Sequence, residues 1–318
     1  MKSLILSLLV SFIGHLAFSQ VAGQPAFKIV PLGVKGGVDE SNLSAYLLAQ
    51  NGTDDYICLD AGTLHAGIEK AIQSGIFHKS PEAVLRQDIK AYFISHAHLD
   101  HVAGMIINSP QDSSKNIYGL PFCLDILKEK YFTWRNWANF TNEGDTPRLN
   151  KYHFVPLDTI EEKPIQHTPF SVRAFTLSHS NPYQSTAFLV REGENYILYL
   201  GDTGPDEVEK SFNLLSLWMH IGPLIKSKKL KALMIEVSFP NEQPDKQLFG
   251  HLTPKWLMKE MRMLRQFTGP ESLIGFPVVI THIKPHGDNE AHIKEQLKKE
   301  NELKLKLIFP EQGKLIEL

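Results

Sequence analysis

Cysteine is nearly absent from this chain, with 2 among 318 residues, Cys58 and Cys123. That excludes a disulfide-dense scaffold. A surplus of one charge is also missing: 33 Lys and Arg stand against 35 Asp and Glu, a net charge of −2. Such a balance argues against a protein built to coat a nucleic-acid polymer. The chain has no internal repeat and no Pro-, Gly- or Ser-rich linker that would divide it. What is left, 42% hydrophobic, 21% charged and 10% aromatic, is the ordinary composition of a folded protein. The count that stands out is histidine, at 14.

The N-terminus reads as an address. Lys2 gives a positive start, residues 4–13 are apolar apart from Ser7 and Ser11, and Ala17-Phe18-Ser19 offers a small-residue cleavage site. This three-part pattern predicts a signal peptide over residues 1–19 and export to the periplasm or beyond. The apolar run falls short of the ~20 residues a spanning helix needs, so no stable membrane anchor is expected. Export makes a Cys58–Cys123 disulfide chemically possible. The apolar setting Tyr56-Ile57-Cys58-Leu59 favours two buried thiols instead.

Short apolar strands alternate with longer helical patterns. Strands are predicted at 26–32, 45–49, 56–59, 89–94, 171–177, 185–191, 196–200, 232–237 and 277–280. Helices are predicted at 64–74, 212–225, 254–267 and 290–302, with a further helix starting at 102–107. Glu192-Gly193-Glu194-Asn195 signals a hairpin between two of the strands. The runs 305–309 and 313–316 look like a closing strand pair. Together these imply α/β layering, with helices covering sheets. Residues 111–163 are the least regular and carry Tyr131, Phe132, Trp134, Trp137 and Phe140. Those aromatics read first as core packing, and second as an inserted cap lending an aromatic wall to a site.

The densest chemistry is Ser95-His96-Ala97-His98-Leu99-Asp100-His101, after a strand and before a helix. Positions two apart on an extended segment point the same way, so His96 and His98 can grip one ion together. Asp100 and His101 lie where the chain turns and can face a second ion. Imidazole nitrogen and carboxylate oxygen suit Zn²⁺ in hydrolytic sites. One short motif cannot close two metal shells. His179, Asp202 and His282 each follow an apolar strand and are the candidates to complete them. Asp202 is the natural bridge, because two metals about 3.5–4 Å apart need a shared ligand. His251 in Gly250-His251-Leu252-Thr253-Pro254 can be a ligand, a helix-start residue or a catalytic acid, and the acid is the best functional reading. Ligands running from His96 to His282 must converge on one cleft, so residues 20–318 read as a single domain.

The whole run from His96 to Pro110, HAHLDHVAGMIINSP, resembles the signature of class II cyclic nucleotide phosphodiesterases. Its generic HxHxDH part resembles the metallo-β-lactamase fold superfamily, an αββα sandwich with a dinuclear metal site at one edge. Asp60-Ala61-Gly62 is similar to that superfamily's early Asp-x-Gly turn, and Leu200-Gly201-Asp202-Thr203-Gly204 and the His251 segment are similar to later motifs of this branch. The resemblance implies that His96, His98 and His179 hold one divalent ion, that Asp100, His101 and His282 hold the other, and that Asp202 bridges. Glu236 and His251 resemble a pair in tRNA 3′-processing endonucleases in which a glutamate orients a catalytic histidine.

The activity implied is zinc-dependent hydrolysis of 3′,5′-cyclic AMP or GMP to nucleoside 5′-phosphates. A metal-bound hydroxide would attack, with Asp100 orienting it or taking its proton and His251 protonating the leaving ribose oxygen. Rival readings keep the site and change the substrate to another phosphodiester, a lactone or a β-lactam, or make the chain a zinc-buffering protein without catalysis.

Overall fold

The computed structural model describes residues 25–318; the expected leader at 1–19 lies outside the described residues. In the first half of the chain the strands are β1 (Phe27–Gly33), β2 (Ala45–Gln50), β3 (Tyr56–Leu59), β4 (Ile89–Phe93), β5 (Lys115–Gly119) and β6 (Tyr152–Pro156). The second half supplies β7 (Lys163–Pro164), β8 (Ser171–Ser178), β9 (Gln184–Glu192), β10 (Asn195–Leu200), β11 (Leu230–Glu236), β12 (Pro277–Thr281), β13 (Lys306–Ile308) and β14 (Ile316–Glu317). They form two seven-stranded sheets, ordered β14-β1-β2-β3-β4-β5-β6 and β13-β12-β11-β10-β9-β8-β7.

Alternation along each strand explains the layering. On β1, Phe27 and Ile29 face the other sheet, while Val30 and Leu32 face helices. On β10, Ile197 and Tyr199 point inward, while Leu198 and Leu200 pack outward. Both faces are buried, which is why these strands read as continuous apolar runs. Between the sheets Phe93 stacks on Tyr118 and meets Phe188 edge-on, with ring centroids 4.8 and 5.4 Å apart. Truncating such a ring to Ala costs about 3–5 kcal/mol. Helices His65–Gln73 and Leu99–Asn108 cover the first sheet. Asn213–Lys226, Pro254–Thr268 and Asn289–Glu300 cover the second. The result is an αββα sandwich. Among the described residues no helix is long and apolar enough to cross a membrane.

The strands and helices predicted from the sequence fall within a few residues of those observed, with one exception. The two C-terminal runs are not partners. β13 adds to β12 in parallel, whereas β14 pairs antiparallel with β1 in the other sheet. Between them Gly313, at φ 73°, donates its N–H to Pro31 O at 2.7 Å and carries the chain across. A turn between two apolar runs looks the same in sequence whether it closes a hairpin or changes sheet.

The irregular stretch 111–163 contains strands β5 and β6 and the helix Pro121–Ile126. Phe132 is fully buried, and Tyr131, Trp137 and Phe140 pack on the same core, as the first reading expects. Trp134 is the exception at 44% exposure. Cys58 and Cys123 are free, buried thiols.

Candidate metal centre

Strands β8, β10, β11 and β12 all end on the same side, because β10, β11 and β12 run parallel and β8 reaches β10 through two antiparallel steps. The loop after β4 meets them from the first sheet. His96 and His98 lie in that loop, and Asp100 and His101 in the first turn of the helix Leu99–Asn108. His179 follows β8, Asp202 follows β10, Glu236 ends β11, and His282 follows β12. His251 precedes the helix Pro254–Thr268. Residues spread over most of the described chain thus meet at one edge, and every candidate named from the sequence is among them.

The nitrogens converge. His98 Nδ1 lies 3.1 Å from His96 Nε2 and 3.2 Å from His179 Nε2. His282 Nε2 lies 3.1 Å from both His101 Nε2 and Asp100 Oδ2. Asp202 sits between the two groups. Its Oδ2 stands 3.3 Å from His101 Nε2 and from His282 Nε2, 3.8 Å from His96 Nε2 and 3.9 Å from His179 Nε2. The triads His96–His98–His179 and Asp100–His101–His282 each bring their donor atoms close enough to share one ion, and Asp202 belongs to a third triad with His96 and His101.

Protonation decides whether this set suits a cation. His179 donates from Nδ1 to Gly250 O at 2.9 Å, and burial lowers its pKa, so its Nε2 presents a lone pair to the cluster. Burial also holds His96 well below its usual pKa and pulls His98 down to about 4. Burial opposes ionisation of Asp100 and Asp202, yet the neighbouring His101 and His282 keep both far below the usual carboxylate range. Neutral imidazoles and ionised carboxylates are the forms that ligate a metal. His101 differs: burial would lower it, but Asp202, Asp60 and Asp100 raise it well above its usual value. It holds a proton that a metal would displace.

Two further side chains, Asp60 and Ser238, support the cluster. Buried Asp60 accepts from Ser95 N–H and Oγ–H, each at 2.7 Å, from Tyr199 OH at 2.6 Å and from His101 Nδ1 at 2.8 Å. This is the carboxylate–histidine arrangement that orients a metal ligand. Ser238 Oγ lies 2.6 Å from Glu236 Oε2, 3.0 Å from His282 Nδ1 and 3.2 Å from His251 Nδ1. Its spacing of two from Glu236 at a strand end was the available signal. Tyr183 also stacks on His98, centroids 4.8 Å apart.

His251 and Glu236 form a separate pair. His251 Nδ1 lies 2.7 Å from Glu236 Oε1. Burial, reinforced by Asp202, pushes Glu236 up to about 7, and burial draws His251 down to about 4. The pair titrates as a unit near neutrality, with its extra proton resting on the carboxyl side. A cavity of about 650 Å³ lined by Ser180, Asn181, Asp245, Phe249 and Gly250 among others includes neither residue of the pair.

Comparison with known proteins agrees with this geometry. Residues 79–313 match the family model described as cAMP phosphodiesterases class-II. The chain is 45% identical to a 3′,5′-cyclic-nucleotide phosphodiesterase of Aliivibrio fischeri, over 93% of this chain and 94% of that one. It is 40% identical to a probable 3′,5′-cyclic-nucleotide phosphodiesterase of Yersinia pestis, over 91% and 88%. Among solved structures, unliganded yeast PDE1 superposes with a TM-score of 0.82 at 23% identity, covering 92% of this chain and all of that one. The short form of human tRNase Z superposes with a TM-score of 0.53 at 17% identity, over 91% and 98%. At those identities the structural matches speak for the fold alone, which is the metallo-β-lactamase fold.

Proposed function

The chain belongs to the class-II cAMP phosphodiesterase family, and from that premise we propose that it is a metal-dependent hydrolase of 3′,5′-cyclic nucleotides that releases nucleoside 5′-phosphates. The observation that carries the reading is Asp202 Oδ2 standing within 3.9 Å of ring nitrogens from both triads, with the His251–Glu236 pair alongside. His96, His98 and His179 would hold one divalent ion, Asp100, His101 and His282 a second, and Asp202 would bridge them. The borderline-soft nitrogen and oxygen donor set favours zinc. Such ions would supply a water ionised near neutral pH and offset charge on the phosphoryl oxygens.

The side chains do the remaining work. Asp100 orients the attacking water or takes its proton. Glu236 holds His251 through Nδ1, so the ring's other nitrogen carries the proton handed to the departing 3′ oxygen. Ser238 ties this pair to His282, keeping acid and ligand in register. The leader pattern at 1–19 supports an exported enzyme, and the convergence of ligands from both sheets supports one domain over 20–318.

The test is a substrate panel on the purified protein together with metal analysis. Hydrolysis of cyclic AMP or cyclic GMP that a chelator abolishes and zinc restores is expected. A folded, metal-loaded protein inert on both nucleotides would overturn the assignment. If it were also inert on bis(4-nitrophenyl) phosphate, zinc buffering would be the better account.

A further inference from the structure

Lys284 stands apart from the other charges around this centre. It is half-buried, yet among the described residues its ammonium has neither a carboxylate partner nor a hydrogen-bond acceptor. Its position is nevertheless fixed. The backbone N–H donates to Ser238 O at 3.3 Å, and Pro285 behind it restricts the backbone to extended conformations. The ammonium lies over the Phe239 ring, 5.8 Å from its centroid, and Phe239 meets the His251 ring at 5.6 Å. It also reaches Gly37, where an added Cβ would stand 3.8 Å from Nζ. The Gly37 N–H in turn donates to Asp100 Oδ2 at 2.9 Å. Lys284 is therefore one residue removed from both Asp100, through Gly37, and His251, through Phe239.

A half-buried ammonium held only over a ring face keeps its three N–H donors free for a ligand. Through Gly37 it adjoins Asp100 and through Phe239 it adjoins His251, so it stands at the rim of the donor cluster that an anionic phosphodiester would have to reach. We infer that Lys284 is a substrate-binding residue, its ammonium taking a non-bridging oxygen of the phosphoryl group while Phe239 holds the side chain on station through its ring face. A compact ammonium with three donors is suited to this, and it adds positive charge that strengthens as charge builds on the phosphoryl oxygens. Methionine matches the length of the Lys284 stem without its charge, so Lys284→Met removes the ammonium while keeping most of the side chain's bulk.

The inference rests on the phosphodiesterase reading for its substrate, so the experiment separates the two. The metal-loaded wild type, Lys284→Met and Lys284→Arg are compared at equal zinc content by calorimetric titration with inorganic phosphate and by kcat/KM for cyclic AMP. Lys284→Met should bind phosphate about 10- to 100-fold more weakly, with a matching loss in kcat/KM, and Lys284→Arg should recover most of both. Unchanged phosphate affinity in Lys284→Met overturns the inference whatever the turnover. A wild type that turns over no cyclic nucleotide, alongside a Lys284→Met variant with weakened phosphate binding, would sink the phosphodiesterase reading and leave the anion site standing. Melting temperatures within a few degrees show that the Met side chain has replaced the stem without unfolding the loop.

Discussion

Asp60 Oδ2 lies 2.8 Å from His101 Nδ1, and neither residue is more than 1% exposed. The same carboxylate takes three further donors, so every one of its contacts is with a group that gives a proton. An Asn at this position would turn one acceptor into an NH2 group facing donors. Asp60→Asn should therefore weaken metal binding by about 10- to 100-fold while leaving all first ligands in place. Competition with a chromophoric chelator measures this, and circular dichroism checks the fold. Unchanged affinity would remove Asp60 from the support of the centre.

Gly36 controls His282 by what it lacks. A Cβ at Gly36 would stand 2.3 Å from His282 Cε1 and 2.4 Å from Nδ1, far inside contact distance. The backbone there is not one that only glycine adopts, so Gly36→Ala acts through the ring. The variant should lose metal from the Asp100–His101–His282 site and lose turnover with it. Metal-to-protein ratios by mass spectrometry read the first, and a full complement at wild-type rate would show that the ring is not fixed as a ligand.

The donor residues were legible in the sequence because their chemistry is local: His96, His98, Asp100 and His101 fall within six positions, and His179, Asp202 and His282 each follow an apolar strand. The supports were harder to see. Asp60 is one acidic residue at a turn, and its importance comes from the meeting of Ser95, His101 and Tyr199 across distant parts of the chain. Ser238 is as ordinary in sequence. The separation of β13 from β14 was hidden for a different reason: pairing depends on which sheet edge is open, and a local pattern carries no information about edges.

The His251–Glu236 pair makes a prediction about pH. Glu236 is pushed up to about 7, above the ordinary carboxyl value, so the pair keeps its second proton below that pH and loses it above. Turnover that uses this proton should be full on the acid side of the limb and decline as pH rises through about 7. Glu236→Gln cannot lose a proton and should abolish the limb while lowering kcat by about 10²-fold or more. His251→Ala should keep its metals and lose about 10²- to 10⁴-fold in rate. A limb that persists unchanged in Glu236→Gln would assign it to another group, and undiminished turnover in His251→Ala would remove that ring from the mechanism.

Metal removal should reveal how the two halves of the sandwich are tied. The donors His96, His98, Asp100 and His101 come from the loop and helix after β4 in the first sheet, whereas His179, Asp202 and His282 follow strands of the second. Ions held between them would cross-link the sheets at one edge, while the apolar layer between the sheets would not depend on them. Chelation should leave far-ultraviolet dichroism nearly intact and lower the melting temperature. At a free zinc concentration a thousand times Kd, binding to the native state alone is worth about 4 kcal/mol, or roughly 6 °C for a chain of this size. Asp202→Ala removes the carboxylate that stands between the two triads, so it should bind less metal and lose most of that increment. A melting temperature indifferent to chelation in the wild type would mean that the converging donors hold no ion. An Asp202→Ala variant with the full increment would mean that metal is held independently of this carboxylate.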